Sequence, residues 1–208
     1  MIEPTRVFLL RHGETAWNAE QRLQGHADIG LNELGRWQAQ RLAQALAGED
    51  IAALYSSDLL RALDTARALA ESISLPVQTD AALRERAFGF LEGLSYDEID
   101  TQFPEDARRW REREPDFAPG GGETMNGFSA RSVAAVTRLA AAHPGQAIAV
   151  FTHGGVLDSV YREAQGLGLA ALRSWHLGNA SINRLLFTGS RFTVLGWDDH
   201  SHLEPPPG

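Results

Sequence analysis

The sequence predicts an α/β fold: a three-layer α/β/α arrangement around a mostly parallel central sheet, with a small helical lid insertion. Three observations predict it. Short apolar runs alternate with amphipathic helical stretches along the 208 residues, the pattern of a parallel sheet covered on both faces. Two of those runs, residues 7–10 and 147–152, are short, strongly apolar and followed closely by glycine, as buried strands ending in turns are. Residues 81–122 are poor in strand signals and so read as an insertion folded over the carboxyl edge of the sheet.

The first strand, Val7-Phe8-Leu9-Leu10, runs straight into Arg11-His12-Gly13. A histidine there stands just beyond the carboxyl end of a strand, where open α/β sheets hold their ligands. Arg11 is a permanent cation suited to bidentate contact with phosphate, and Gly13 lets backbone approach a ligand closely. The competing reading is a surface turn that holds an Arg and a His. Residues 14–30 form a polar loop punctuated by Gly25 and Gly30. Asn32 is placed to cap a helix whose apolar face is Ala39, Leu42, Ala43 and Leu46, with Gly48 closing it.

Residues 52–56 read as the second strand, and Ser57 or Asp58 as the cap of a helix with Leu59, Leu63, Ala66 and Ala70 on one face. Arg61 falls in its first turn, where a cation opposes the helix dipole. It is therefore read as aimed at an anion; the alternative is a solvated side chain. Residues 76–79 make a short strand, and 81–93 a loop carrying Arg84-Glu85-Arg86. Ser95-Tyr96-Asp97-Glu98 is a capping-box pattern. Residues 108–114 read as a solvated, mixed-charge helix face, and 115–122 as a Pro/Gly loop. Thr124 is placed to cap a helix over 125–142. The strand at 147–152 leads through His153-Gly154-Gly155 to a helix near 156–165. Residues 183–187 and 192–196, split by Thr188-Gly189-Ser190, read as a closing hairpin. The expected organisation is one domain over 1–208, with the lid insertion at about 81–122 and a disordered tail at about 203–208.

A hydrophobic content of 43% is ordinary for a globular protein and supports a sizeable core. The net charge of −8 argues against a nucleic-acid partner, which needs clustered cations. All 19 basic residues are arginine. No cysteine is present, which excludes disulfides and thiolate metal sites. No apolar run reaches membrane-spanning length, and residues 7–10 are too short for a signal-peptide core, so a cytoplasmic protein without a membrane partner is expected. The oligomeric state stays open; a homodimer is compatible with the sequence.

The motifs, taken together, resemble the histidine phosphatase superfamily, the phosphoglycerate-mutase-like family, in its broad phosphatase branch. The residues that carry the resemblance are Arg11-His12-Gly13-Glu14-Thr15, Asn18, Gln24-Gly25, Ser57-Asp58 with Arg61 and Thr65, Arg84-Glu85, Gly89, Glu92-Gly93-Leu94, Gly121-Gly122-Glu123 and His153-Gly154. They run in order from about Arg6 to Trp197.

The resemblance implies a small phosphorylated metabolite as substrate and a phosphohistidine formed on His12; the residues by themselves do not say which histidine attacks. Arg11, Arg61 and His153, with Asn18 as a neutral donor, would neutralise the phosphoryl group. His12 must then stay neutral and oriented, its second nitrogen tied to a group such as a backbone carbonyl. Glu85 is the natural proton donor to the leaving alkoxide, with Arg84 and Arg86 turned away from it. Gln24, Gly25, Phe88 and Gly154 are expected to border the phosphate and substrate. Glu14 and Thr15 read as loop-fixing residues, and Glu123 either caps a helix or orients an active-site arginine. His26 either lines the entrance or is a surface residue. Asp198-Asp199-His200-Ser201-His202 reads as a polar, flexible tail rather than a metal site. No metal and no cofactor is expected.

A cofactor-dependent phosphoglycerate mutase and a non-catalytic phospho-ligand binder are the alternatives. The chain has no lysine to grip a phosphoglycerate, and Phe88 stands where the mutase pattern carries a tyrosine; Arg108-Arg109 could take the place of the mutases' paired arginines. Substrate choice is expected to depend on Phe88, Phe90, Trp110 and Phe117.

Overall fold

The computed structural model describes residues 3–204. Its centre is a six-stranded sheet in the order β3-β2-β4-β1-β5-β6. The strands are β1 (Thr5–Arg11), β2 (Ile51–Ser56), β3 (Val77–Thr79), β4 (Ala147–Thr152), β5 (Ile182–Phe187) and β6 (Phe192–Asp199). β3, β2, β4 and β1 are mutually parallel, while β5 and β6 form an antiparallel hairpin beside β1. The two most apolar runs of the sequence, β1 and β4, are therefore neighbours in the interior of the sheet.

Alternation along β1 separates two cores. Val7 and Leu9 pack with α6 (Met125–Ala141) and α7 (Gly154–Gln165) on one face. Phe8 and Leu10 pack with α2 (Glu33–Leu46) and α3 (Leu60–Ile73) on the other. The period of two in the strand sends successive side chains to opposite layers, which gives the expected α/β/α arrangement. Asn32 caps α2 by accepting the Gly35 amide at 2.8 Å, and Thr124 caps α6 by accepting the Gly127 amide at 3.0 Å.

Between β3 and α6 the chain makes the expected excursion, with α4 (Tyr96–Gln102) and α5 (Pro104–Arg111). The Ser95–Glu98 capping box opens α4. This segment has its own small core of Leu23, Leu91, Ile99 and Ala107, with Phe88, Phe103 and Trp110 against it. One helix had no sequence signal: α1 (Ala16–Ala19) is a single turn capped by Thr15, whose hydroxyl accepts the Asn18 amide.

Three local expectations are corrected. Neither Ser57 nor Asp58 caps α3: the cap residue is Leu59, the Leu60 amide donates to Asp28 at 2.7 Å, and Asp58 is taken by Arg84. Gly48 is not a left-handed stop, since α2 ends at Leu46 with right-handed Ala47 after it. The 198–202 run is built rather than loose: β6 continues to Asp199, and Ser201–Leu203 forms a turn of 3-10 helix that packs on α2. The part of the expected tail at 205–208 lies outside the described residues. No helix among the described residues is long and apolar enough to cross a membrane.

Candidate active site

Parallel pairing of β1 with β4 puts the residues that follow them side by side. The His12 amide donates to the Thr152 carbonyl at 3.0 Å, and the rings of His12 and His153 lie 5.2 Å apart, centroid to centroid. Both are buried. Nδ1 of His12 is 2.7 Å from the Gly13 carbonyl. A carbonyl only accepts, so Nδ1 carries the proton and Nε2 keeps its lone pair. Burial, then the charges of Arg61 and Arg11, push the His12 imidazole well below its ordinary range, so it is held neutral.

The loop that presents His12 is fixed from several sides. The Gly13 amide donates to Thr65 Oγ1 on α3 at 3.0 Å. Gly13 also lies against the backbone of Gly35, where an added Cβ would come within 2.4 Å of the Gly35 oxygen. Glu14 accepts from Asn32 Nδ2 at 2.8 Å, and Thr15 donates to Gln24 Oε1 at 3.0 Å, so both serve the loop as expected. Asn179, just before β5, donates Nδ2 to the His12 carbonyl at 3.1 Å, and the Ala180 amide donates to the same oxygen at 3.1 Å.

Arg61 enters from the first turn of α3 and is almost wholly buried. Its guanidinium donates to the Gly25 carbonyl at 2.7 Å and the Ala27 carbonyl at 2.9 Å, and its Nε has no partner. Burial lowers it to about 10, still a cation at neutral pH. Arg11 donates to the Leu177 carbonyl, and its buried Nε is also unpartnered. Burial lowers Arg11 as well, opposed by the charge of Glu85. His153 caps α7 and is pushed well below its ordinary range by burial, then by Arg61, His12 and Arg11.

Glu85 stands at the start of α7. Its Oε2 accepts the Gly155 amide at 3.0 Å, and Oε1 accepts the Arg86 amide at 2.9 Å. The backbone around it is clamped: His26 Nε2 donates to the Glu85 carbonyl at 2.9 Å, and Arg131 donates to the carbonyls of Ala82, Arg84 and Glu85. Arg131 is in turn held by both oxygens of Glu123 at 2.9 and 2.8 Å. Glu123 therefore does not cap a helix: its carboxylate holds the clamp, and its carbonyl accepts from Arg86 of the cleft wall at 2.9 Å. His26 belongs to the clamp too, away from the cleft wall.

These groups open onto a cleft of about 660 Å³. Arg11, His12, Asn18, Gln24, Gly25, Arg61, Glu85, Phe88 and Gly154 all line it, and His153 lies behind that surface with no exposure. Asn18 uses Oδ1 to accept the Thr15 amide at 3.1 Å, which leaves its amide nitrogen for the cleft. Gly25 has φ +50° and no room for a Cβ, which would lie 2.1 Å from Glu92 Oε1. Phe88 meets Trp110 at a tilt, centroids 5.5 Å apart, and Trp110 stacks on Tyr96 at 5.7 Å, as an aromatic wall.

Several expectations fail here. Arg84 does turn away, to Asp58 at 2.7 Å, but Arg86 lines the cleft and donates to the carbonyls of Phe117 and Glu123, burial bringing it to about 10. Arg108 and Arg109 lie outside the cleft, spent on Glu105, Glu112 and Glu114. Phe90 is exposed beside Phe103, and Phe117 lies under Arg109, so neither borders the cleft. The sequence reading passed over 166–181, which supplies Arg173, Trp175, His176 and Gly178 to the wall. The available signal was topological: this segment precedes β5, and β5 starts opposite Leu10, at the carboxyl end of β1. Arg113 and Asp158 were missed because nothing in their local pattern marks them. Among the described residues, no group of three or more His, Asp or Glu is arranged to hold a metal ion.

Comparison with known proteins agrees with this geometry. The sequence profile of the histidine phosphatase superfamily, branch 1, matches residues 7–200. Phosphoglycerate mutase-like protein 4 of Arabidopsis thaliana is 41% identical over 98% of this chain and 89% of its own length. The metal-independent phosphoserine phosphatase of the same plant is 38% identical over 97% of this chain and 84% of its own. A mycobacterial glucosyl-3-phosphoglycerate phosphatase, solved in complex with VO3, superposes with a TM-score of 0.81 at 35% identity, covering 93% of this chain and 98% of that one. With the family profile matched along nearly its whole length, the chain belongs to the histidine phosphatase superfamily, branch 1, as an enzyme of that family.

Proposed function

We propose that the protein is a phosphomonoesterase acting on a small phosphorylated metabolite, with His12 as nucleophile and Glu85 as general acid, and residues 81–122 as the lid of a single domain. The observation that carries this is the state of His12: neutral, its Nδ1 proton given to Gly13, and its Nε2 lone pair facing a cleft flanked by Arg11 and Arg61. Such an imidazole is an activated nucleophile. Nε2 attacks phosphorus, the bond to the ester oxygen breaks, and protonated Glu85 gives its proton to the leaving alkoxide. Arg11, Arg61 and the Asn18 amide stabilise the charge on the transferring group. Water then attacks the phosphohistidine, Glu85 takes its proton, and inorganic phosphate leaves with His12 restored. The names of the phosphoserine and glucosyl-3-phosphoglycerate phosphatases support hydrolysis.

The mutase reading has a relative named for it. It is disfavoured by the absence of any lysine and by the position of Arg108 and Arg109, which lie off the cleft. The test is trapping: during turnover of a labelled phosphomonoester, acid-labile, base-stable label is expected on His12, and His12→Ala should stay folded and inactive. Label on another residue, or full activity in His12→Ala, overturns the assignment. Isomerisation of 3-phosphoglycerate outpacing its hydrolysis would favour the mutase.

A further inference from the structure

Glu92 takes no part in the chemistry above and does not line the cleft, yet it stands between two groups that do. The Gly93 amide donates to the Leu23 carbonyl at 2.8 Å, and the Leu23 amide to the Leu94 carbonyl at 3.0 Å. This pairing lays residue 92 alongside the turn at 24–27, which closes through the Ala27 amide on the Gln24 carbonyl at 2.9 Å. The closing bond uses the last amide of the turn and leaves that of His26 inside it. One oxygen, Oε1 of Glu92, accepts the His26 amide at 3.0 Å and the Phe88 amide at 2.9 Å. Only a glycine at position 25 lets the carboxylate come so near.

The same turn holds Arg61. Two of the five guanidinium N–H groups go to the carbonyls of Gly25 and Ala27, the residues on either side of His26. Arg61 is 1% exposed, so its planar fork points where those two carbonyls set it. The N–H groups left over, the unpartnered Nε–H among them, are what it can offer a phosphoryl group.

We propose that Glu92 is a positioning residue for phosphoryl transfer: its Oε1, shared between the His26 and Phe88 amides, fixes the turn that aims Arg61 and fastens the aromatic wall to the same guanidinium. This rests on the phosphatase reading and adds to it a residue that acts through Arg61. Without the acceptor, both amides must find other partners and the turn shifts to supply them. A guanidinium displaced by a fraction of an ångström loses more on the transferring group, where charge develops, than on bound phosphate. The negative charge of Glu92 is not required, because an amide oxygen accepts from the same two donors.

The test is a double-mutant cycle on single-turnover transfer from p-nitrophenyl phosphate, in the full chain. That ester is used because its leaving group needs no proton from Glu85, whose carbonyl His26 also holds. Glu92→Ala should slow the step about tenfold when Arg61 is present, and by no more than about twofold in an Arg61→Gln background. Glu92→Gln should stay within about threefold of the wild-type rate. Equal losses in the two backgrounds overturn the inference, since a residue that only stabilises the fold acts alike in each. A loss in Glu92→Gln as large as that in Glu92→Ala overturns it too. Vanadate, which takes the five-coordinate shape of the transferring group, gives a second reading that does not need Arg61→Gln to fold. Glu92→Ala should weaken vanadate binding about tenfold and inorganic phosphate no more than about threefold; equal weakening of both overturns the inference. A wild-type chain that transfers no phosphoryl group to His12 removes the phosphatase reading itself, whereas an active one with an additive cycle removes only the role of Glu92.

Discussion

Ser57 Oγ lies 2.9 Å from Nε2 of His153, and the same oxygen accepts the Leu59 amide at 3.3 Å. A hydroxyl oxygen has two lone pairs and one proton, so after accepting from Leu59 it can still give its proton to Nε2, and in that tautomer Nδ1 carries the ring proton. That Nδ1 is buried, has no protein partner and belongs to a ring beside His12. In that tautomer it is expected to donate to a phosphoryl oxygen bound beside His12.

Ser57→Ala frees the ring to change tautomer. A fall in kcat of about tenfold is expected, less than the ~10²–10³-fold of deleting an oxyanion donor outright. Ser57→Thr should keep most activity. Ring-nitrogen NMR shifts read the tautomer directly; an unchanged Nδ1–H signal together with a large loss in Ser57→Ala would mean that Ser57 acts on packing instead.

Glu85→Gln keeps the shape and removes the transferable proton. Single-turnover rates should fall by about 10²–10⁴-fold on an alkyl phosphate and far less on p-nitrophenyl phosphate, whose leaving group needs no proton. Gly155→Ala should imitate this, because its Cβ would lie 2.2 Å from Glu85 Oε1 and displace the carboxylate. Equal losses on both esters would show that Glu85 positions rather than protonates, and would turn attention to Asp97 or Glu92.

Activity should survive EDTA. Positive charge at the phosphoryl position comes from Arg11 and Arg61, and the cleft offers no cage of carboxylates of the kind a hard divalent cation needs. A loss on chelation that one divalent metal restores would contradict this.

Stability should fall as pH drops below about 6.5, the ordinary histidine value. His12 and His153 are both held well below it by burial and by the two arginines. Below that pH the unfolded chain binds protons that the native state refuses, so protonation favours unfolding. Each of the two contributes about 1.4 kcal/mol per pH unit until its depressed native value is reached. Urea midpoints between pH 7.5 and about 5 measure the slope. His153→Gln should remove about half of it, and an unchanged slope in that variant would place the proton uptake elsewhere.

The layers, the order of elements and the nucleophile strand were legible because they rest on local periodicity and on motifs contiguous in sequence. Arg11, His12, Glu85 and Gly154 each follow or open a strand or helix, so their neighbours announce them. Arg173, Arg113 and Asn179 were not legible. Arg173 and Arg113 reach the cleft, and Asn179 reaches the His12 carbonyl, only because β5 runs antiparallel to β1 and because the chain after α5 folds back toward 166–181, facts of topology without a local pattern. Arg108 and Arg109 misled for the matching reason: a charged pair reads the same whether it faces a ligand or, as here, its own glutamates. Glu123 was open between two roles: its carbonyl does meet Arg86 of the cleft, but its carboxylate goes to Arg131, which lies in a helix whose facing the sequence left undetermined.

The separation of His12 and His153 is inherited from the sheet. Adjacent strands lie about 4.8 Å apart, and the two rings, one residue past paired strand ends, lie 5.2 Å apart. No loop sets this interval, so it changes only when the sheet itself opens. The walls that choose the ligand are of another kind: small helices and turns with a core of four buried residues, joined to the sheet by side-chain clamps. Such segments open locally, at free energies well below global unfolding. Reactivity and discrimination therefore have separate thermal lives. On warming, the protein loses its choice among phosphate esters while p-nitrophenyl phosphate is still turned over, and the amide of His12 stays protected from exchange after those of residues 88–111 have given way.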